Sequence, residues 1–118
     1  MVTFNICIGN ADAHGKNISF LYGQPGQLRL APLYDTVPTA MWPNLPARAA
    51  MEVNGHVELG SLTIDDVVAE AARWPFPPAV ARDVATKTVR ALQGALDLVA
   101  VPDGLANFVR NRASAFTV

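Results

Sequence analysis

The chain has 118 residues, of which 51% are hydrophobic and 16% are charged, and its formal net charge is −1 with a pI near 6.0. This composition predicts one globular domain and excludes a disordered chain. The charge argues against direct, non-specific binding of nucleic acid, which needs a basic surface, and no apolar run approaches the ~18 residues of a membrane span. The first residues carry no basic segment typical of a signal peptide, and the single cysteine, Cys7, lies in an apolar stretch. We therefore expect a cytoplasmic protein in which Cys7 is a small core residue.

The first half of the chain predicts one helix end and one β-hairpin, joined by polar loops. In chain order, the predicted segments are a buried helix end over 3–9, a loop over 10–17, strands over 18–22 and 28–31 around a turn at 23–27, and a long loop over 32–50. Gly9 can end the helix because glycine readily adopts a positive φ. Four prolines between residues 32 and 50 disfavour any regular element there, and an ordered loop of this length is usually functional.

The second half predicts mainly helices. A short strand over 51–53 precedes the Asn54–Gly55 turn, with His56 on the surface, and Thr63 can cap a helix that continues to about Trp74. A longer helix is predicted over 79–100 and a last one from about Leu105. The apolar spacing predicts the buried residues of these two helices to be Ala81, Ala85, Thr88, Leu92, Ala95, Leu96, Val99, Leu105, Phe108, Val109 and Phe116. The positions predicted to be solvated on the longer helix are Arg82, Lys87 and Arg90.

The loop over 10–17 contains residues typical of a phosphoryl-transfer site. Asn17 follows Asp12 by five residues, and a second acid, Asp35, returns after the predicted hairpin. Such a site needs a carboxylate to orient the acceptor hydroxyl, oxygen ligands for Mg²⁺ and positive charge near the transferred phosphate. The candidates are Asp12 as the catalytic base, Asn17 and Asp35 as metal ligands, and His14 or Lys16 as phosphate contacts.

Each of these residues also has a purely structural interpretation. Asp12 and Asn17 favour turns, and Asp35 can cap the turn before Pro38. His14 can hydrogen-bond to the backbone, and Lys16 can be a solvated charge. Trp42 and Trp74, each beside a proline, are expected to be packing residues.

Two segments, IGNADAHGKNISFL over 8–21 and LAPLYD over 30–35, resemble the HipA family of bacterial serine/threonine kinases. The resemblance is looser over 49–55 and is only a helical pattern beyond. It implies the C-terminal, helical lobe of a protein-kinase-like fold in one domain over 1–118. The catalytic loop and metal-binding hairpin would occupy 8–36 and the helical remainder 63–118.

The resemblance also implies a function. HipA-like proteins are the toxin kinases of toxin–antitoxin pairs; they use ATP and Mg²⁺ to phosphorylate protein hydroxyls, with an aminoacyl-tRNA synthetase as the best-known target class. Their partner is a helix-turn-helix antitoxin that binds DNA. Carried onto this sequence, Asp12 is the catalytic base, Asn17 and Asp35 are the metal ligands, and His14 and Lys16 match the loop pattern.

The chain departs from the family in the missing N-terminal lobe, because no Gly-rich loop follows a predicted strand in these 118 residues. We therefore expect a C-terminal fragment that is inactive alone. We also expect self-association through the apolar Phe4–Ile8 surface that the absent lobe would cover. Two alternatives stay open: a non-catalytic binding module or degenerate remnant, and a fragment of a lipid or small-molecule kinase. The latter arises because the Asp-x-His-x-x-Asn loop also resembles that of phosphoinositide kinases.

Overall fold

The computed structural model describes residues 1–116 and combines helices with two small antiparallel sheets. The helices and strands are α1 (Val2–Ile8), β1 (Phe20–Tyr22), β2 (Leu28–Leu30), β3 (Arg48–Val53), β4 (His56–Glu58), α2 (Ile64–Ala72), α3 (Pro78–Leu98) and α4 (Asp103–Ala115). Short 3₁₀ helices lie at Gly15–Asn17 and Thr39–Met41. The predicted mainly helical class is confirmed, but two hairpins are present where one was predicted. The last two residues of the predicted helical remainder, 117–118, lie outside the described part.

The first hairpin has the predicted position and pairing. Strands β1 and β2 are antiparallel, with Phe20 opposite Leu30 and Tyr22 opposite Leu28. The side chains of both strands are exposed, so neither face of this hairpin packs on the core. The hairpin therefore serves to return the chain from the 10–17 loop towards Asp35.

The second hairpin corrects the prediction for 32–50. Strand β3 begins at Arg48 rather than at residue 51, and it pairs with β4 across the Asn54–Gly55 turn. Asn54 and Gly55 both have positive φ, 53° and 79°, as a tight hairpin turn requires. His56 is consequently the first residue of β4 and not part of the turn. The Arg-Ala-Ala start of β3 has weak strand propensity, so long-range contacts decide its conformation: the Ala50 amide donates to the Ala11 carbonyl at 2.8 Å.

Helix α2 begins with the predicted cap. The Thr63 hydroxyl accepts from the Asp66 amide, and the Asp66 carboxylate accepts from the Thr63 amide at 2.9 Å. The prediction is less accurate for α3. Ala81 and Ala85 are buried as expected, but the most buried residue is Val89, and Ala95 and Val99 are exposed. Val99 has an extended backbone at the end of α3, so helical spacing does not extend to it.

The core lies where α1, the second hairpin and the three later helices meet. Its buried residues are Ile6, Cys7, Val53, Leu59, Leu62, Ile64, Ala85, Val89, Ala113 and Phe116. Cys7 is fully buried, and burial raises the pKa of its thiol to about 11, which confirms the prediction of an unreactive core residue. Trp42 and Trp74 are 51% and 60% exposed, so the prediction that they are packing residues is wrong.

The expected apolar surface at Phe4–Ile8 is also not observed. Ile6 and Ile8 are buried at 4% and 7% exposure because α1 packs against α3 and α4, and Phe4 is half-buried.

The exposed large apolar side chains of the first hairpin are Phe20, Leu21, Tyr22, Leu28 and Leu30. Self-association stays a prediction, now assigned to this hairpin. Light scattering over rising concentrations should show dimers or larger species, and replacing Tyr22 and Leu28 by serine should reduce them; a monomer at every concentration would contradict it.

None of the helices within residues 1–116 combines the length and apolar character that crossing a membrane requires.

Acid should destabilise the contact between the second hairpin and α2. Burial pushes the pKa of Asp66 upward, but hydrogen bonds from Asn54 and Thr63 outweigh it, so the Asp66 pKa lies below its ordinary 3.8. The bond from the Asn54 amide at 2.8 Å, with a smaller contribution from Arg73, likewise lowers the pKa of Glu70 below 4.5. Because both folded-state pKa values are depressed, their stabilisation is complete above the ordinary values and is lost as the pH falls below them.

Urea unfolding between pH 6 and pH 3 should therefore show a falling free energy of unfolding below about pH 4.5. Asn54→Gly keeps the positive φ but removes the side-chain bond to Asp66, so part of the decline should disappear in this variant. An identical pH dependence in both proteins would contradict the assignment to Asp66.

Candidate active site

Gly9 ends α1 and directs the chain into the polar loop. Its φ is 75°, which glycine adopts readily. An added Cβ atom would lie 3.0 Å from the Phe108 ring and 3.1 Å from Nε of Arg112. Any larger residue would therefore both strain the backbone and displace α4, so the start of the loop is tightly specified.

The first residues of the loop contact two segments that are distant in sequence. The Ala11 amide donates to the Thr39 hydroxyl at 2.8 Å, and the Ala40 amide donates to the Gly9 carbonyl at 2.9 Å. The Ala11 carbonyl accepts from β3 through Ala50. The 3₁₀ helix at Thr39–Met41 and the first half of strand β3, both within the predicted 32–50 loop, are thus the segments that position the 10–17 loop.

The buried side chain of Asn10 lies between the two halves of the site. Its Oδ1 accepts from the Asp12 amide at 3.1 Å, and its Nδ2 donates to the Asp35 carbonyl at 3.2 Å and to Oδ1 of Asn5 at 3.0 Å. The residue is 3% exposed. Asn10 was not among the predicted site residues, although it lies inside the segment that carries the family resemblance.

Asp12 and Asn17 are adjacent in space. Nδ2 of Asn17 donates to the Asp12 carbonyl at 3.2 Å, across the 3₁₀ helix Gly15–Asn17. Because an amide carries its nitrogen and oxygen on opposite branches, this bond directs the Asn17 oxygen away from the carbonyl. The Asp12 side chain is 70% exposed and is free to meet a reactant.

Asp35 is held in an uncommon backbone conformation. Its φ is 54°, in the left-handed region that aspartate tolerates better than most residues. Its carbonyl accepts from Asn10, and the neighbouring Tyr34 hydroxyl donates to the Lys16 carbonyl at 3.1 Å and lies 2.7 Å from Oγ of Ser19. These contacts fix the end of the hairpin loop against the 10–17 loop.

His14 faces Asp12, and one of its ring nitrogens is unsatisfied. Nε2 lies 3.9 Å from the Asp12 carboxylate, which is too long for a hydrogen bond. Nδ1 is buried and has no hydrogen-bond partner within the described residues, so it does not make the loop-stabilising backbone bond that was the structural alternative. His14 therefore has an unpartnered ring nitrogen among the described residues, and this nitrogen is shielded from solvent.

A pocket of about 300 Å³ joins these elements. His14, Asn17 and Asp35 line the pocket. Asp12 does not line it but is hydrogen-bonded to Asn17, which does. Lys16 is exposed and does not line the pocket. The apolar lining residues include Met1, Val2, Ile6, Leu33, Met51 and Trp74. Trp74 thus lies at the pocket rather than in the core. Its position beside a proline in the sequence does not indicate this location.

The donor set suits a hard cation bound together with phosphate. Among residues 1–116 no group of three His, Cys, Asp or Glu side chains could hold a metal by itself. One carboxylate and one amide oxygen at the same pocket instead match Mg²⁺ sites, in which phosphate and water complete the coordination. The side chains of Asn17 and Asp35 are therefore chemically suited to Mg²⁺, the ion that was predicted from the sequence.

The chain is similar to known proteins. The chain is 45% identical over 62 residues to Y4mE of Sinorhizobium fredii, a candidate kinase by name, and 37% identical over 59 residues to the serine/threonine-protein kinase toxin HipA of Shewanella oneidensis. These matches cover 52% and 50% of this chain but only 14% and 13% of the two relatives.

The solved complex of HipA, HipB and operator DNA from Shewanella oneidensis MR-1 is similar in structure, with a TM-score of 0.71 at 27% identity. The match covers 98% of this chain and 28% of the solved chain. Residues 1–96 also match the model of the HipA-like C-terminal domain. The resemblance read from the sequence is confirmed, and the chain belongs to the HipA-like C-terminal domain family.

Proposed function

We propose that this chain supplies the catalytic loop and the metal ligands of a HipA-like serine/threonine kinase. One observation carries the proposal: Asn17 and Asp35, which the first hairpin separates in sequence, line one pocket with Asp12 beside it. A base and two metal ligands that converge in this way are what phosphoryl transfer requires. The family assignment supports the same chemistry and disfavours the lipid-kinase alternative.

Asp12 is the proposed catalytic base. Its exposed carboxylate can accept a hydrogen bond from an incoming serine or threonine hydroxyl and take its proton as the phosphate is transferred. The backbone of Asp12 is bonded on both sides, by Asn10 to its amide and by Asn17 to its carbonyl, so the position of its Cα atom at the site is fixed.

Asn17 and Asp35 are the proposed Mg²⁺ ligands, through an amide oxygen and a carboxylate. Bound Mg²⁺ would neutralise charge on the ATP phosphates. His14 lines the same pocket, and its imidazole is the proposed hydrogen-bond donor to a phosphate oxygen. Lys16 is exposed outside the pocket, so its proposed contribution is limited to long-range positive charge.

The substrate and partners belong to the same proposal. By analogy with the HipA family, we propose that ATP is the donor, that a protein hydroxyl such as that of an aminoacyl-tRNA synthetase is the acceptor, and that a helix-turn-helix antitoxin of the HipB type is the partner. The matched relatives extend well beyond the aligned region, so these properties concern the complete kinase. The net charge of −1 favours contact with DNA through such a partner rather than directly.

Titration calorimetry of ATP with Mg²⁺ tests the metal assignment. In the full reading frame that encodes these residues, Asp35→Ala should weaken Mg²⁺-dependent ATP binding by more than the about 10-fold to 100-fold that loss of an outer-shell partner costs. Asp97→Ala is the matched control, because Asp97 pairs with Arg110 on the surface and does not line the pocket.

The 118-residue chain, tested alone, should transfer no phosphate, because it contains no Gly-rich loop to cover the phosphates. ATP-dependent phosphorylation by the isolated chain that Asp12→Asn abolishes would contradict this expectation. Full-frame binding that is unchanged in Asp35→Ala would instead contradict the metal assignment. Absence of nucleotide binding by either protein would favour the non-catalytic binding module.

A further inference from the structure

We propose that Asn10 is a positioning residue that couples the base Asp12 to the metal ligand Asp35. The inference rests on the proposed function of those two residues. Asn10 lies in the wall of the pocket, and its proposed role is to hold both loops in one geometry rather than to contact a reacting atom.

The side-chain amide of Asn10 makes three hydrogen bonds: Oδ1 accepts one, and Nδ2 donates both of its protons. The Asp12 amide can only donate and the Asp35 carbonyl can only accept, so Oδ1 must face Asp12 and Nδ2 must face Asp35. The second Nδ2 proton goes to Oδ1 of Asn5 at 3.0 Å, which fixes the amide from the α1 side. Because the residue is 3% exposed, water cannot replace these partners cheaply.

The two loops that Asn10 joins also contact each other through Tyr34, whose hydroxyl donates to the Lys16 carbonyl at 3.1 Å, but Asn10 alone bonds to the backbones of both Asp12 and Asp35 among the described side chains. The two loops are not strands of one sheet, since the described sheets pair β1 with β2 and β3 with β4. Asp35 also has a φ of 54°, a conformation that persists only where neighbouring contacts favour it. The bond from Asn10 to the Asp35 carbonyl at 3.2 Å is such a contact, so its loss should let the metal ligand relax away from Asp12.

Aspartate and alanine cannot make this pair of bonds. Aspartate keeps the acceptor for the Asp12 amide but, when ionised, has no donor for the Asp35 carbonyl. Alanine loses both. The two substitutions therefore separate the link to the base from the link to the metal ligand.

The experiment compares Asn10→Asp, Asn10→Ala and the control Asn107→Asp at pH 8 in the full reading frame. Asn107 is exposed on α4, so this control adds the same charge away from the site. Two quantities are measured: hydrogen exchange of the Asp12 amide without nucleotide, and the concentration of Mn²⁺ that gives half-saturation in the presence of ATP, by electron paramagnetic resonance.

Asn10→Asp should preserve the slow exchange of the Asp12 amide but raise the Mn²⁺ midpoint by about 10-fold to 100-fold. Asn10→Ala should raise the midpoint similarly and also accelerate the exchange. Asn107→Asp should change neither. An unchanged midpoint in folded Asn10→Asp would overturn the inference, because a purely structural role lowers the folded fraction without shifting the midpoint of the folded molecules.

A measurement on the unsubstituted protein covers the case in which the variants do not fold. Adding Mg²⁺ with ATP should shift the side-chain amide resonances of Asn10 and leave those of Asn107 in place; no shift at Asn10 would overturn the inference. The proposed function has its own control, Asp35→Ala. If that variant binds Mn²⁺ and ATP normally, the proposed function fails; if it loses binding while Asn10→Asp does not, only the positioning role of Asn10 fails.

Discussion

Replacing Asp12 by asparagine should lower the turnover number of the full reading-frame kinase by about 10²-fold to 10⁴-fold, the usual contribution of a general base. The substitution keeps the size of the side chain and both backbone bonds of residue 12, to Asn10 and Asn17, so the loop should keep its geometry. The KM for ATP should change little, because Asp12 does not line the pocket that Asn17 and Asp35 share.

The measurement is steady-state phosphorylation of a serine- or threonine-containing protein substrate, with ATP and Mg²⁺ varied separately. Asp103→Asn is a suitable control, because Asp103 is exposed at the start of α4. A fall in turnover of less than about 10-fold would contradict a base role for Asp12. A large rise in the KM for ATP would instead assign Asp12 to nucleotide binding.

Replacing Arg112 by methionine should cause the largest loss of stability that we expect from one polar side chain. The guanidinium of Arg112 donates to the Ile6 carbonyl at 3.0 Å and to the Leu59 carbonyl at 3.2 Å, and it lies over the Phe108 ring at 5.7 Å. Methionine preserves much of the packing but leaves two partly buried carbonyls without their donor. Each should cost about 1–3 kcal/mol in the free energy of unfolding.

Arg110→Met provides the matched control on the same helix. Arg110 pairs with Asp97 at the surface, and exposed ion pairs contribute about 1 kcal/mol or less. Urea unfolding should therefore show a clearly larger loss of unfolding free energy in Arg112→Met than in Arg110→Met. Equal losses would mean that the bonds from Arg112 to α1 and to the segment after β4 contribute no more than a surface pair.

The stability and the function of this protein are connected through α1. Arg112 bonds to Ile6 in the last turn of α1, and Gly9, where that helix ends, packs tightly against α4. The catalytic loop begins at the next residue, Asn10. A change at the α1–α4 contact should therefore reach the site without any direct contact with a ligand.

Local sequence signals determined a large part of the fold. Gly9 as a helix terminator, the strands around the 23–27 turn and the cap formed by Thr63 and Asp66 were all predicted and are all present. Each depends on backbone preferences or hydrogen bonds within a few residues, which a single sequence specifies. The segments that contain Asp12, Asn17 and Asp35 likewise indicated the family.

Only the tertiary structure decided the rest, because it depends on contacts between residues far apart in the chain. The first half of strand β3, residues 48–50, has weak strand propensity and is stabilised through pairing with β4 and the bond from Ala50 to Ala11, so the sequence predicted a strand only over 51–53. Val89 is buried because three helices meet around it, whereas Ala95 on the same helix remains exposed. Asn10 shows the difference most clearly: its sequence position marks a turn, but only folding brings Asp35 within 3.2 Å of its amide.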